Sequence, residues 1–154
     1  MAKRASDSDL IIELKNGAII QVAGLDRPER IEGPPVAHLL IDEFANVHED
    51  AWQDNLYPTL TDTQGTADII GVPEGRNNYW RMWSNALISQ TSEWGCHHWF
   101  TADVLPLYLG QDLALAEIAT AKANMAPRTY AQEYEAAFNT YSGLVYYPFT
   151  RETH

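Results

Sequence analysis

Cysteine is nearly absent. Cys96 is the one example in 154 residues, so no disulfide can form within the chain, and a reducing interior suits it. Positive charge is scarce as well: 10 Lys and Arg stand against 21 Asp and Glu, a formal net charge of −11. Such a field opposes non-specific attraction to nucleic acid or to anionic membrane surfaces. Contact with DNA would need a local basic patch or a partner that supplies one. No apolar run approaches the ~20 residues of a spanning helix, and the N-terminus has no signal-peptide core. A protein of the cell interior, with no membrane association, is therefore expected. Internal repeats and low-complexity tracts are missing. So are paired metal-ligand spacings. Cys96, His97 and His98 are adjacent in a stretch read as a strand, where neighbouring side chains point to opposite faces and cannot readily share one ion.

What is present is a globular composition, 45% hydrophobic and 11% aromatic. Within it, Val36-Ala37-His38-Leu39-Leu40-Ile41-Asp42-Glu43-Phe44-Ala45 stands out. A short apolar run between turn signals reads as a strand buried on both faces, as in a parallel sheet. Acids at its carboxyl end sit where open α/β sheets bind ligands, and two adjacent carboxylates are best rationalised beside a divalent cation or a polarised water. Four apolar residues followed by Asp-Glu match the Walker B pattern of P-loop NTPases. There Asp42 would hold Mg²⁺ and Glu43 would orient or deprotonate the attacking water. The plainer alternative is a strand entering a helix whose first turn carries acids to suit the dipole.

Other elements fall in order around that run. Residues Met1 to Asp9 are polar and read as frayed. Leu10–Leu14 and Ala18–Val22, joined through Asn16-Gly17, read as a β-hairpin. Residues 23–35 form a Gly- and Pro-rich loop with one helical turn after Pro28. Asn46 to Tyr57 reads as a helix capped by Asn46 and stopped by Pro58. Thr66–Val72 reads as a second buried strand, closed by Pro73. Asn77 or Asn78 caps a helix with Trp80, Met82, Trp83 and Leu87 on its apolar side. Trp94 to Asp103 alternates as a third core strand. Asp112–Met125 reads as an Ala- and Leu-rich helix, and Pro127 opens another over Tyr130–Phe138. An extended segment is expected from Gly143. The five Trp residues, Trp52, Trp80, Trp83, Trp94 and Trp99, read as core; Tyr141, Tyr146 and Tyr147 read as packing the linker, and His48 as a solvated helix residue.

The hairpin with Asn16-Gly17, the loop Arg27-Pro28-Glu29-Arg30-Ile31-Glu32-Gly33 and Leu39-Leu40-Ile41-Asp42-Glu43 follow one another directly. Downstream stand Tyr57-Pro58-Thr59-Leu60-Thr61-Asp62, Gly65, Ile69-Ile70-Gly71-Val72-Pro73-Glu74-Gly75-Arg76-Asn77, Tyr130-Ala131-Gln132-Glu133-Tyr134 and Phe138. From about Leu10 to Phe149 the series resembles the large terminase subunit of tailed bacteriophages, the ATPase that drives DNA into the capsid. The resemblance implies an α/β fold: a partial P-loop NTPase parallel sheet of the ASCE type, flanked by helices, with an N-terminal β-hairpin and a C-terminal helical linker. It implies three regions: 1–110, an incomplete ATPase domain; 111–142, a helical linker; and 143–154, the start of the nuclease region.

Site residues follow from the same resemblance. Glu43 is expected to be catalytic and Asp42 to hold Mg²⁺ and the nucleotide. Val72 and Pro73 are the counterpart of the coupling motif, where the family usually shows a hydroxyl residue before Pro and often Lys after it. Val72 cannot hydrogen-bond a phosphate, and Glu74 inverts the charge. Arg30 and Arg76 are candidates for phosphate contact, since Arg donates in a fork and ring ATPases commonly lend an arginine between subunits. ATP and Mg²⁺ are the implied cofactors. Double-stranded DNA, the portal protein, the small terminase subunit and further copies in a ring are the implied partners, at the procapsid portal in the host cytoplasm. One expected string, Gly-x-x-x-x-Gly-Lys-Ser/Thr, does not occur. The chain therefore reads as the later part of an ATPase domain plus its linker, with a non-catalytic prophage remnant or protein-interaction module as the alternative.

Overall fold

A computed structural model describes residues 2–89 and 93–139. These fall into two compact units. One holds residues up to 41 together with 46–69; the other holds 42–45 together with the residues from 70 onward.

The first unit begins with a surprise. Residues Ala2–Ser6 are not frayed but form β1, antiparallel to β2 (Ile11–Leu14), which pairs in turn with β3 (Ile19–Gln21). No alternation marks β1, because it is held by its ladder and by the Lys3–Glu13 ion pair at 2.5 Å rather than by apolar burial. The β2–β3 connection turns over Lys15–Gly17, with Ala18 leading into β3. It is closed by the Leu14 N–H to Ala18 O bond at 2.8 Å and the Gly17 N–H to Leu14 O bond at 3.0 Å. Gly17 takes φ +87°, and the Asn16 side chain accepts the Ala18 N–H. The Asn-Gly pair thus makes the hairpin expected of it.

Further along, β4 (His38–Ile41) and β5 (Thr66–Ile69) pair in parallel, His38 opposite Thr66 and Ile41 opposite Ile69. Burial on both faces does not hold. Ile41 is buried and Leu39 half-buried, but His38 and Leu40 are exposed. The open face is partly polar: His38 Nδ1 lies 2.8 Å from Thr66 Oγ1, and its Nε2 3.4 Å from Asp68. β5 also ends at Ile69, short of Val72.

The helix between these strands starts later than its sequence implies and does not stop at Pro58. Asn46 ends a short 3₁₀ turn, Phe44–Asn46. A π-turn, Trp52–Leu56, then runs into α1 (Tyr57–Thr61), with Pro58 in the first turn of α1. The Tyr57 N–H reaches back five residues to Trp52 O, a widened turn directly before a proline, whose ring would strike the i−4 carbonyl of a regular helix. The expected turn after Pro28 is present as a 3₁₀ turn, Pro28–Ile31.

In the second unit, α2 (Asn78–Ile88) is capped by Asn77, whose side chain accepts the Trp80 N–H. Trp80, Met82 and Trp83 are partly buried, whereas Leu87 is exposed. Residues 94–100 carry no strand. His97 stacks on Trp99 and His98 lies 4.8 Å from Phe100, but none of them enters a ladder. Alternation without a pairing partner produced the false strand signal. The chain instead enters α3 (Thr101–Leu109), which tolerates Pro106 near its end, then α4 (Gln111–Asn124) and α5 (Pro127–Glu135). Helix α5 ends at Ala136 in the left-handed region, so Phe138 lies past it. The extended segment from Gly143, with Tyr141, Tyr146 and Tyr147, falls outside the described residues. No helix among the described residues is long and apolar enough to cross a membrane.

Candidate functional site

The chain leaves β4 directly into Asp42. Its Oδ1 accepts the N–H of Glu43 at 2.8 Å, a side-chain-to-backbone closure that starts a turn. Glu43 completes that turn at φ +51°, a left-handed conformation that costs a non-glycine residue about 1–2 kcal/mol unless its surroundings hold it. Both acids are exposed. Phe44, by contrast, is fully buried.

Three contacts within the second unit hold this turn. The first is backbone: the Phe44 N–H donates to Ile70 O at 3.1 Å. Gly71 permits that approach, since a Cβ there would meet Phe44 N at 3.1 Å and Glu43 Cα at 3.3 Å, and its φ of +155° disfavours any other residue. The second is aromatic. The Phe44 ring meets Tyr79 edge-on, centroids 5.8 Å apart, and Tyr79 meets Phe138 in the same manner at 5.7 Å. The Tyr79 hydroxyl donates a long hydrogen bond, 3.5 Å, to Gly71 O. Burial, with a smaller contribution from Cys96, raises the Tyr79 pKa above its usual 10.0, so the ring stays neutral there. The third is Asn77, whose Nδ2 donates to Ala45 O at 2.8 Å while its Oδ1 accepts the Trp80 N–H at 3.2 Å.

The expected site residues fall as follows. Asp42 and Glu43 share one turn, and Gly71, immediately before Val72, lies against it. Pro73 is buried and Val72 exposed. The Arg76 guanidinium sits 5.0 Å over the Trp80 ring. Arg30 belongs to the first unit, exposed on its 3₁₀ turn. Sequence reasoning passed over Gly71 and Tyr79 as site residues and took Asn77 only as a cap. The Gly-x-Pro-x-Gly spacing from Gly71 to Gly75 was the available signal for a tight approach.

Asp42 uses one oxygen locally, which leaves Oδ2 for a ligand. A single carboxylate completed by waters and phosphate oxygens is a donor set that suits Mg²⁺. No group of three or more His, Cys, Asp or Glu among the described residues forms a closed metal cage.

No protein-family profile matches the chain. Curated relatives do. The terminase large subunit of Escherichia phage T5 is 25% identical over 154 residues, covering 99% of this chain and 34% of that protein. The terminase large subunit of Thermus phage G20c is 26% identical over 138 residues, 79% of this chain and 26% of its own length. That of Thermus virus P23-45 is 32% identical over 57 residues. Among solved structures, the large terminase ATPase domain of Thermus phage P74-26 superposes with a TM-score of 0.69 at 21% identity, covering 88% of this chain and 62% of that one. The chain thus spans about a third of the length of the T5 relative.

Proposed function

We propose that this chain, a relative of phage large terminase subunits with the fold of a terminase ATPase domain, is the part of a DNA-packaging motor that carries the hydrolytic acids. The observation that carries this reading is the Asp42–Glu43 turn, set directly after one strand of a parallel pair and held by Gly71 of the segment that follows the other. The non-catalytic alternative is not favoured, because the T5 terminase large subunit matches along nearly the whole chain.

Bound MgATP supplies the phosphoryl group to be transferred and a cation that neutralises charge on it. Asp42 would ligate the cation through Oδ2 while Oδ1 holds the Glu43 amide. The Glu43 carboxylate, fixed by its left-handed turn, would orient the attacking water and take its proton. Val72 offers only methyl groups, so coupling here runs through the backbone of Ile70 and Gly71 rather than through a hydroxyl. Arg76 leaves Trp80 to reach phosphate, or remains stacked; Arg30 is the candidate for a contact with a neighbouring subunit. On this reading 1–110 is the ATPase part, 111–142 the linker and 143–154 the approach to the nuclease. The assembled motor would be a ring at the procapsid portal in the host cytoplasm, engaging double-stranded DNA, the portal protein and the small subunit.

The test is Glu43→Gln in the complete terminase polypeptide that contains this chain. ATP turnover should fall by about 10²–10⁴-fold, the usual worth of a positioned base, with nucleotide affinity retained. Unchanged turnover removes Glu43 from the role.

A further inference from the structure

Asn77 stands at a junction that neither the motif nor the helix-cap reading accounts for. A cap needs only an acceptor, and serine, aspartate or asparagine serves equally well. Here the amide works from both ends. Its oxygen accepts from Trp80 at the start of α2, and its nitrogen donates to the carbonyl of Ala45, the last residue of the acidic turn. Only one orientation of the amide satisfies both partners; aspartate has no donor for the second bond, and a serine hydroxyl, one bond nearer the backbone, does not reach where the amide nitrogen does. Ala45 lies two residues from Glu43, and between them the Phe44 N–H donates to Ile70 O at 3.1 Å. Glu43 sits in a left-handed conformation that its surroundings must impose. With the Asn77 amide on one side and Gly71 on the other, the turn is fixed at both of its ends.

We infer that Asn77 is a positioning residue for the Glu43 carboxylate, holding the acidic turn to the N-terminus of α2 through the Ala45 carbonyl. This rests on the hydrolytic reading of Glu43 but makes a separate structural statement. It predicts that losing the donor while keeping the cap loosens the turn and leaves the helix intact. Turnover would then suffer while nucleotide binding does not, because both ends of the Asn77 amide are engaged by Trp80 and Ala45.

The experiment uses Asn77→Ser in the complete polypeptide, with two readouts. Amide exchange at Phe44 should accelerate about tenfold while exchange at Trp80, still capped, stays within about threefold of wild type. The kcat for ATP should fall about tenfold with KM nearly unchanged. Equal Phe44 exchange in variant and wild type overturns the inference. So does equal acceleration at Phe44 and Trp80, which marks loss of the cap alone, and so does an unchanged kcat beside a loosened turn. If Asn77→Ser does not fold, Asn77→Asp, nearly isosteric and a strong cap, decides on the same readouts. If the wild-type polypeptide hydrolyses no ATP, the hydrolytic reading falls, and Phe44 exchange alone decides whether Asn77 holds the turn.

Discussion

The Lys15–Gly17 and Asp42–Ala45 turns each contain a residue in the left-handed region, and they are held in opposite ways. The Lys15–Gly17 loop is self-sufficient. Gly17 sits at φ +87° with nothing near the place a Cβ would occupy, and Asn16, Leu14 and Ala18 supply every hydrogen bond described for it. The Asp42–Ala45 turn puts a glutamate, not a glycine, at φ +51°, and draws its support from Ile70, Gly71, Asn77 and Tyr79. In the first turn, the local residues choose the conformation. In the second, distant residues impose it, and the strained residue is the one proposed to act on the attacking water.

Substitutions can break that contrast. The largest effect is expected at Gly71→Ala, where a methyl group must push on the Phe44 amide and the Glu43 Cα while adopting a disfavoured φ. A loss of about 3 kcal/mol in denaturant unfolding is expected, with turnover of the complete polypeptide reduced more than tenfold. An unaltered unfolding curve would show that the turn gives way freely. Next comes pH. The Tyr79 pKa is raised in the fold, so the native state holds that proton longer than the unfolded chain does. Stability from this source is complete below pH 10 and declines as pH climbs past 10 toward the raised folded value. Melting temperatures followed from pH 9 to 11 should therefore drop less steeply in Tyr79→Phe than in wild type; parallel slopes would remove Tyr79 as the source. The smallest effect is expected at Gly17→Ala. A left-handed alanine with open space around it costs about 1 kcal/mol, and turnover should not change. If Gly17→Ala proved as costly as Gly71→Ala, the two turns would not differ as described.

The same contrast explains what could be read from the residues alone. The hairpin, the Pro28 turn, the Asn77 cap and the helices α4 and α5 were legible because each is encoded by neighbours a few positions apart. Asp42 and Glu43 were legible as a motif, and their relatives bear out the family resemblance. The contacts that shape their turn were not legible, since they join residues about 30 positions apart. β1 gave no signal because a ladder can form without burial. Residues 94–100 gave a false one because extended chain alternates whether or not it finds a partner strand. α3 was hidden by that misreading and by Pro106.

The π-turn before Pro58 bears on how this chain can change length. An ordinary helix transmits any insertion or deletion as a rotation of about 100° to everything beyond it. A widened turn can absorb one residue instead, because tightening it to the α pitch returns the flanks to phase. In this chain the slack is already in use, since the wide turn is what spares the ring of Pro58 a collision. A homologue one residue shorter between β4 and β5 should therefore lack the proline as well.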